Sequence, residues 1–363
     1  MNPEQPLNNN IPENKPEVEQ TPDLPLEEKL TGIQQAIEKK YGIKCPPLTW
    51  DIFFGHHQTK EDFEDFIATA DNPDVFVMEN AGWLEGAEAL YQQISNGQAE
   101  PERMDDLFDD KSSQNDFSRA FADWIYEKKL PVISMEADDK KKIKEISNIH
   151  WKFIKFNKKL DDIKIDTDYH EAVAEYSALL KEWASAEEER EKEILDYIPD
   201  KMAELLQTNP ELRDKDDLKI KMFYGSFHTA LSHELSAAGQ NISREFQKDI
   251  MPFDLSIQAL RYYRFGKTPP PELEEKVLFL DLISHDEVQH KLLPPEEADK
   301  PEIQIDTRVW LELRRKILDA ISIEDMRQYY EMRRSATPEE RFEYVKKILE
   351  LKDQKRNHRK RNF

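Results

Sequence analysis

Two short stretches carry the residue types that could do chemistry. DIFFGHHQT (residues 51–59) and KMFYGSFHT (221–229) each run from apolar residues through a glycine to histidine. Only nine glycines occur in 363 residues, and two of them, Gly55 and Gly225, stand at these turns. A glycine there lets the backbone turn sharply and approach a ligand closely. His56, His57, His228 and His233, four of the nine histidines, follow the two glycines. Two further apolar runs end in a carboxylate at the equivalent place: VFVMEN puts Glu79 after Met78, and PVISMEAD puts Glu136 after Met135. Imidazoles and carboxylates gathered in one pocket are the material of general acid–base and metal-assisted chemistry. Taken singly, each has a plainer reading, as a helix-start histidine or a carboxylate at a helix dipole.

The elements that must position these residues follow from length, composition and punctuation. Trp50–Phe54, Val75–Met78, Pro131–Met135 and Ile220–Tyr224 are short, β-branched and aromatic, and bounded by Gly, Pro or Asp, so they are predicted as buried strands. Helical segments are predicted over 26–41, 60–70, 86–95, 118–128, 138–157 and 168–207, with Pro199 expected to kink or break the last. Such alternation predicts an α/β fold, a central and mostly parallel sheet flanked by helices. Four residues, Val173, Tyr176, Leu180 and Trp183, mark a core stripe on the long helix, and Glu187 to Glu189 are expected on its solvated side. After about residue 250 the strand signal fades into a C-terminal helical region, with Asp306 and Thr337 as candidate N-caps. The expected organisation is therefore a disordered tail (1–25), an α/β domain (26–250), a helical region (251–354) and a basic tail (355–363). In α/β sheets the carboxyl ends of the strands are where ligands bind, and all four predicted strands deliver a His or a Glu there.

This arrangement resembles the TraB/Tiki/ChaN/erythromycin-esterase-like superfamily over about residues 50–247. The likeness rests on Gly225-Ser-Phe-His228, on Glu79 and Glu136 at strand ends, and on Arg190 in EEEREKEILDYI, on the helix before the last motif strand. The first motif, Gly55-His56-His57-Gln58, departs from the pattern, with Gln58 where its histidine belongs. Either the turn is one residue shorter and His57 (or His56) serves, or that half of the site is altered. The resemblance implies a metal-dependent hydrolase of peptide or ester bonds; its alternative is a non-catalytic relative that binds haem, another small ligand or a partner protein. On that reading His57, Glu79 and His228 would hold Mn²⁺, Co²⁺ or Zn²⁺, or the histidines would act as bases. Glu136 would be a general acid or base, and Arg190 would hold an anionic transition state.

Bulk properties narrow the partners. The chain is 38% hydrophobic and 35% charged with a formal net charge of −23, which opposes general nucleic-acid binding because phosphate affinity needs dense Lys and Arg. A small molecule or peptide is the expected substrate, and nothing in the sequence sets an oligomeric state. One cysteine, Cys45, excludes an intrachain disulfide and reads as a buried, neutral loop residue. No apolar run has the length of a membrane span. The N-terminal stretch lacks the basic and apolar regions of a secretory signal, so a cytoplasmic location is expected. Asp281/His285 and Asp286/His290 sit at helical i,i+4 spacing and are expected on a solvated helix face.

Overall fold

The four apolar runs become strands of one sheet, and a fifth joins them. The computed structural model describes residues 32–55, 60–70, 72–79, 86–107, 113–136, 140–161, 167–247, 255–298 and 307–361. The expected tail over 1–25, the start of the first helix, His56, His57 and Asp306 lie outside them. In chain order the α/β part runs α1 (Ile33–Tyr41), β1 (Leu48–Gly55), α2 (Lys60–Ile67), β2 (Val75–Met78), α3 (Ala87–Ser95), α4 (Ser113–Lys128) and β3 (Val132–Ile133). It continues through α5 (Lys140–Asp161), α6 (Tyr169–Thr208), β4 (Leu218–Gly225), α7 (Thr229–Ala237) and β5 (Asn241–Phe246). The strands lie in the order β3-β2-β4-β1-β5 and every pairing is parallel. β5, NISREF, was not among the predicted strands. It is an edge strand exposed along almost its whole length, so it lacks the apolar run that marks the buried ones.

Strand alternation divides the interior into two layers. Trp50, Ile52, Phe54, Ile220, Met222 and Tyr224 face α1 and the second half of α6, whose Ile194, Leu195, Ile198 and Met202 cover them. On the opposite face Phe53, Phe76 and Phe223 pack edge-on and stacked with Phe63, Phe66, Phe117 and Phe121 of α2 and α4. Lys221 is fully buried in this second layer because Asp51, its in-register neighbour on β1, pairs with it at 2.5 Å. Without that carboxylate a charge in the sheet would be costly.

A third core is built from helices: the first half of α6 (Tyr169, Tyr176, Leu180), Phe156 of α5, and α8 (Leu255–Arg264), α9 (Pro271–His285), α10 (Thr307–Ala320), α11 (Ile323–Met332) and α12 (Pro338–Arg361). The C-terminal helical region is therefore packed against the α/β part, chiefly through α6. α6 is 40 residues long, about 60 Å at 1.5 Å per residue. Of the kink or break expected at Pro199, the break does not occur: the helix runs on through it. The ring removes one backbone hydrogen bond, but Ile194, Leu195, Ile198 and Met202 on either side are buried under the sheet, and that burial holds the helix together. The basic residues from Lys355 to Arg361 continue α12. One more expectation changes. Asp286, expected on a solvated face, is buried and receives Tyr329 Oη at 2.6 Å, Arg341 Nη2 at 3.1 Å and Arg333 Nη2 at 3.5 Å. Thr337 caps α12 as predicted: its backbone N–H donates to Glu340, whose N–H donates back to Thr337 Oγ1. Cys45 is buried, and its thiol is pushed up to about 12 by burial.

Because α6 contributes to two cores, they should melt together. Leu180→Ala (helical core) and Leu195→Ala (sheet core) are each expected to cost about 2–5 kcal/mol within a single denaturant transition. Two separable transitions, each sensitive to one variant, would contradict a continuous α6.

Candidate functional site

The carboxyl ends of β2, β3 and β4 converge on one side chain of α6, Arg190. Glu79 follows β2 by one residue, and its backbone N–H donates to Phe223 O of β4, which fixes the strand end. Its Oε1 accepts Arg190 Nη2 at 2.9 Å. Glu136 follows β3, where its N–H donates to Ser134 Oγ, and it takes Arg190 on both oxygens, Nη2 to Oε1 at 2.7 Å and Nε to Oε2 at 3.3 Å. Glu187, one turn earlier on α6, accepts Nη1 at 3.3 Å. His228, in the single 3₁₀ turn between β4 and α7, brings Nε2 to 3.2 Å from Glu79 Oε1 and 3.0 Å from Arg190 Nη1. Behind the ring, Nδ1 faces Glu191 Oε1 at 3.5 Å, and Arg264 of α8 holds the other Glu191 oxygen at 2.7 Å.

Gly225 explains itself in this geometry. Its N–H donates to Glu79 Oε2 at 2.5 Å, and a Cβ there would stand 3.1 Å from the same oxygen. The glycine makes room for a carboxylate. Gly55, in register with Gly225 across β1 and β4, does the same for Gln247: a Cβ would lie 2.9 Å from Gln247 Oε1 and 2.7 Å from Phe53 Cε1. Both glycines thus admit protein side chains at the strand ends.

The sequence reading brought Glu79, Glu136, Arg190 and His228 together, and the structure places all four in one cluster. It misses Glu187 and Glu191. Glu187, expected in solvent, is buried, whereas Glu189 is exposed. The signal lay in the spacing: Tyr176, Leu180, Ala184, Glu187, Glu191 and Leu195 occupy one stripe at intervals of three and four, so the two acids interrupt an apolar face. Arg264, contributed by the helical region, had no local signal. Tyr224 also reaches the cluster; its hydroxyl is buried and has no hydrogen-bond partner. His233 stands apart and exposed on α7.

Electrostatics sort the protonation states. Burial opposes the charge of Arg190, but Glu136, Glu79 and Glu187 more than offset it and hold the guanidinium charged. Burial lifts the Glu136 carboxyl, against the pull of Arg190, to about 7. Burial and Arg190 both act to lower His228, yet Glu79 and Glu191 outweigh them and raise it to about 10. The 3.0 Å approach of Arg190 Nη1 to His228 Nε2 would be a hydrogen bond only with that nitrogen unprotonated. We favour the imidazolium, because carboxylate oxygens of Glu79, Glu191 and Glu187 lie within 3.2–3.8 Å of the ring. Four carboxyls (Glu79, Glu136, Glu187, Glu191) then face three cations (Arg190, Arg264, His228). The charges balance when one carboxyl keeps a proton, and Glu136 is the one placed to do so.

For a metal ion this donor set is unsuitable as placed. Among the described residues no three His, Cys, Asp or Glu side chains surround a common point. Arg190 occupies the space between the carboxylates, and an imidazolium has no lone pair to give. His56 and His57, the other half of the expected ligand set, lie outside the described residues.

Removing Arg190 would strand the acids. Arg190→Met is expected to cost about 3–5 kcal/mol at neutral pH and to be partly rescued in acid, as the carboxyls take up protons. Denaturation of both proteins at two pH values checks this; equal loss at both would count against it. Glu136 gives a second test. Its folded pKa lies above the ordinary value of 4.5, so its contribution is complete below pH 4.5 and is lost as pH rises through about 7. Stability should decline by the order of 1–3 kcal/mol across that window, and Glu136→Gln should flatten the slope. Comparisons of the chain with protein-family models, with curated proteins and with solved structures find no match, so the functional reading rests on this geometry.

Proposed function

We propose that this rim is a hydrolytic site acting on a peptide or ester bond, the reaction class that the resemblance to the TraB/Tiki/ChaN/erythromycin-esterase-like superfamily implies, but by acid–base chemistry in place of that superfamily's metal. The observation that carries the reading is the convergence of Glu79, Glu136 and His228, from three strand ends, on one arginine of a crossing helix. A carboxyl lifted to about 7 is half-ionised at neutral pH, the condition under which one group can both take a proton from water and return it to a leaving group. The Glu79, Glu136 and Glu187 side chains and that of Arg190 each keep about a tenth of their surface exposed, at the outer side of the cluster from His228. Arg190, fixed by the acids around it, supplies positive charge to a developing oxyanion. His228 lies behind this layer, 2% exposed, and serves by holding Glu79 in place. Hydrolysis on these residues is acid–base chemistry and needs no step through a metal.

Turnover of a panel of p-nitrophenyl esters and fluorogenic peptides tests the proposal. Glu136→Gln is expected to lower the rate by about 10²–10⁴ and to abolish an inflection near pH 7. A wild-type protein with no turnover on any substrate, or a Glu136→Gln protein with unchanged rates and pH profile, refutes it. The non-catalytic alternative draws support from one feature, the near-complete engagement of the guanidinium by protein carboxylates. Haem titration separates it: a Soret band weakened by His57→Ala, without turnover, favours binding. Metal analysis of untagged protein beside Glu79→Ala and His228→Ala completes the comparison, with equal and negligible metal expected in all three.

A further inference from the structure

α5 carries two apolar faces, and only one of them is used. Ile149, Phe156 and Leu160 are buried, and Phe153 lies edge-on to Tyr176 and Trp183 of α6. On the other side Trp151 is 56% and Ile154 41% exposed, two of the most exposed large apolar side chains described. Counted at 100° per residue, Lys144, Trp151, Ile154, Lys155 and Lys158 fall within about 100° of one another, and all five are exposed. From Lys140 to Asp161 the helix holds eight lysines, Lys140, Lys141, Lys142, Lys144, Lys152, Lys155, Lys158 and Lys159, against Glu145 and Asp161, a formal +6 in a chain of −23. Two of the lysines are spoken for, Lys152 by Glu182 and Lys159 by Glu175 of α6. Those on the Trp151 arc point to solvent.

We propose that this face of α5 is a docking surface for an anionic lipid bilayer. Tryptophan and isoleucine at the crest of a helix, flanked by lysines whose long stems let the ammonium rise to the phosphates, is the pattern of a helix lying in a membrane interface. Charge complementarity acts locally. At physiological ionic strength fields decay over about 8 Å, so a bilayer beneath α5 senses the lysines of the helix, while the acidic surfaces elsewhere are screened. The cavity at Trp151, about 570 Å³, is lined by Trp151 and Ile149 and, for the greater part, by the polar Glu145, Asn148, Lys152, Lys155 and Glu182. It lacks the apolar pocket that would seat a partner's anchoring side chain, and it suits a hydrated headgroup. None of these residues belongs to the strand-end cluster, so the proposal stands or falls apart from the hydrolytic reading.

Co-sedimentation of the full chain with phosphatidylcholine vesicles, with and without about a third phosphatidylserine, tests it. Binding is expected only to the anionic vesicles and should be lost at about 0.5 M salt. Lys155→Glu with Lys158→Glu should weaken binding by at least about tenfold, and Trp151→Ala by several-fold, with melting temperatures unchanged because all three side chains are exposed. No partition into anionic vesicles overturns the proposal. So does binding that the lysine reversals leave intact, or binding to a polyglutamate peptide but not to vesicles, which would assign the face to an acidic protein.

Discussion

A buried guanidinium is the constraint from which the rest of this molecule can be understood. Taking Arg190 out of water is costly unless every donor finds an acceptor. Here the acceptors come from segments far apart in the chain: Glu79 after β2, Glu136 after β3 and Glu187 on α6 itself. Each pair also fixes a piece of backbone. Glu79 can face Arg190 only because Gly225 leaves space for its carboxylate and donates a backbone N–H to it. The order β3-β2-β4 places these three strand ends side by side, under the helix that crosses them.

That helix joins two interiors. The first half of α6 is buried among the C-terminal helices and the second half under the sheet, with Glu187, Arg190 and Glu191 at the junction. Its persistence through Pro199 keeps the two halves in one register. The helical region is then more than an appendage, since Arg264 of α8 secures Glu191, which in turn faces His228. A change in the packing of α8 would be felt at the rim of the sheet. The balance of four carboxyls against three cations also explains why a proton should reside at Glu136: it lies deep enough to disfavour charge and beside a second carboxylate.

Much of this was legible in the residues. Short β-branched and aromatic runs marked four of the five strands, because a strand buried on both faces must be apolar throughout. β5 escaped because an exposed edge strand has no such requirement. Glu79, Glu136 and His228 were legible as chemistry-bearing residues since each lies within three residues of a strand's end. Glu187 was read as solvated from its charged neighbours, although its position on the apolar stripe of α6 pointed inward; composition outweighed phase. Asp286 was misread in the same way. Its partners, Arg333 just past α11 and Arg341 on α12, lie 47 and 55 residues further along, beyond the reach of an i,i+4 argument.

The sequence alone determined the alternation of elements, the acidic surface, and which strand ends carry a carboxylate or a histidine, since these depend on local preference and on side-chain type. Only the tertiary structure decided what those groups face. Whether two carboxylates and an imidazole enclose an ion or an arginine depends on a helix crossing, and a crossing is set by how two cores share one helix. Distances of 2.7–3.3 Å around Arg190, and the protonation states that follow from them, arise from that packing.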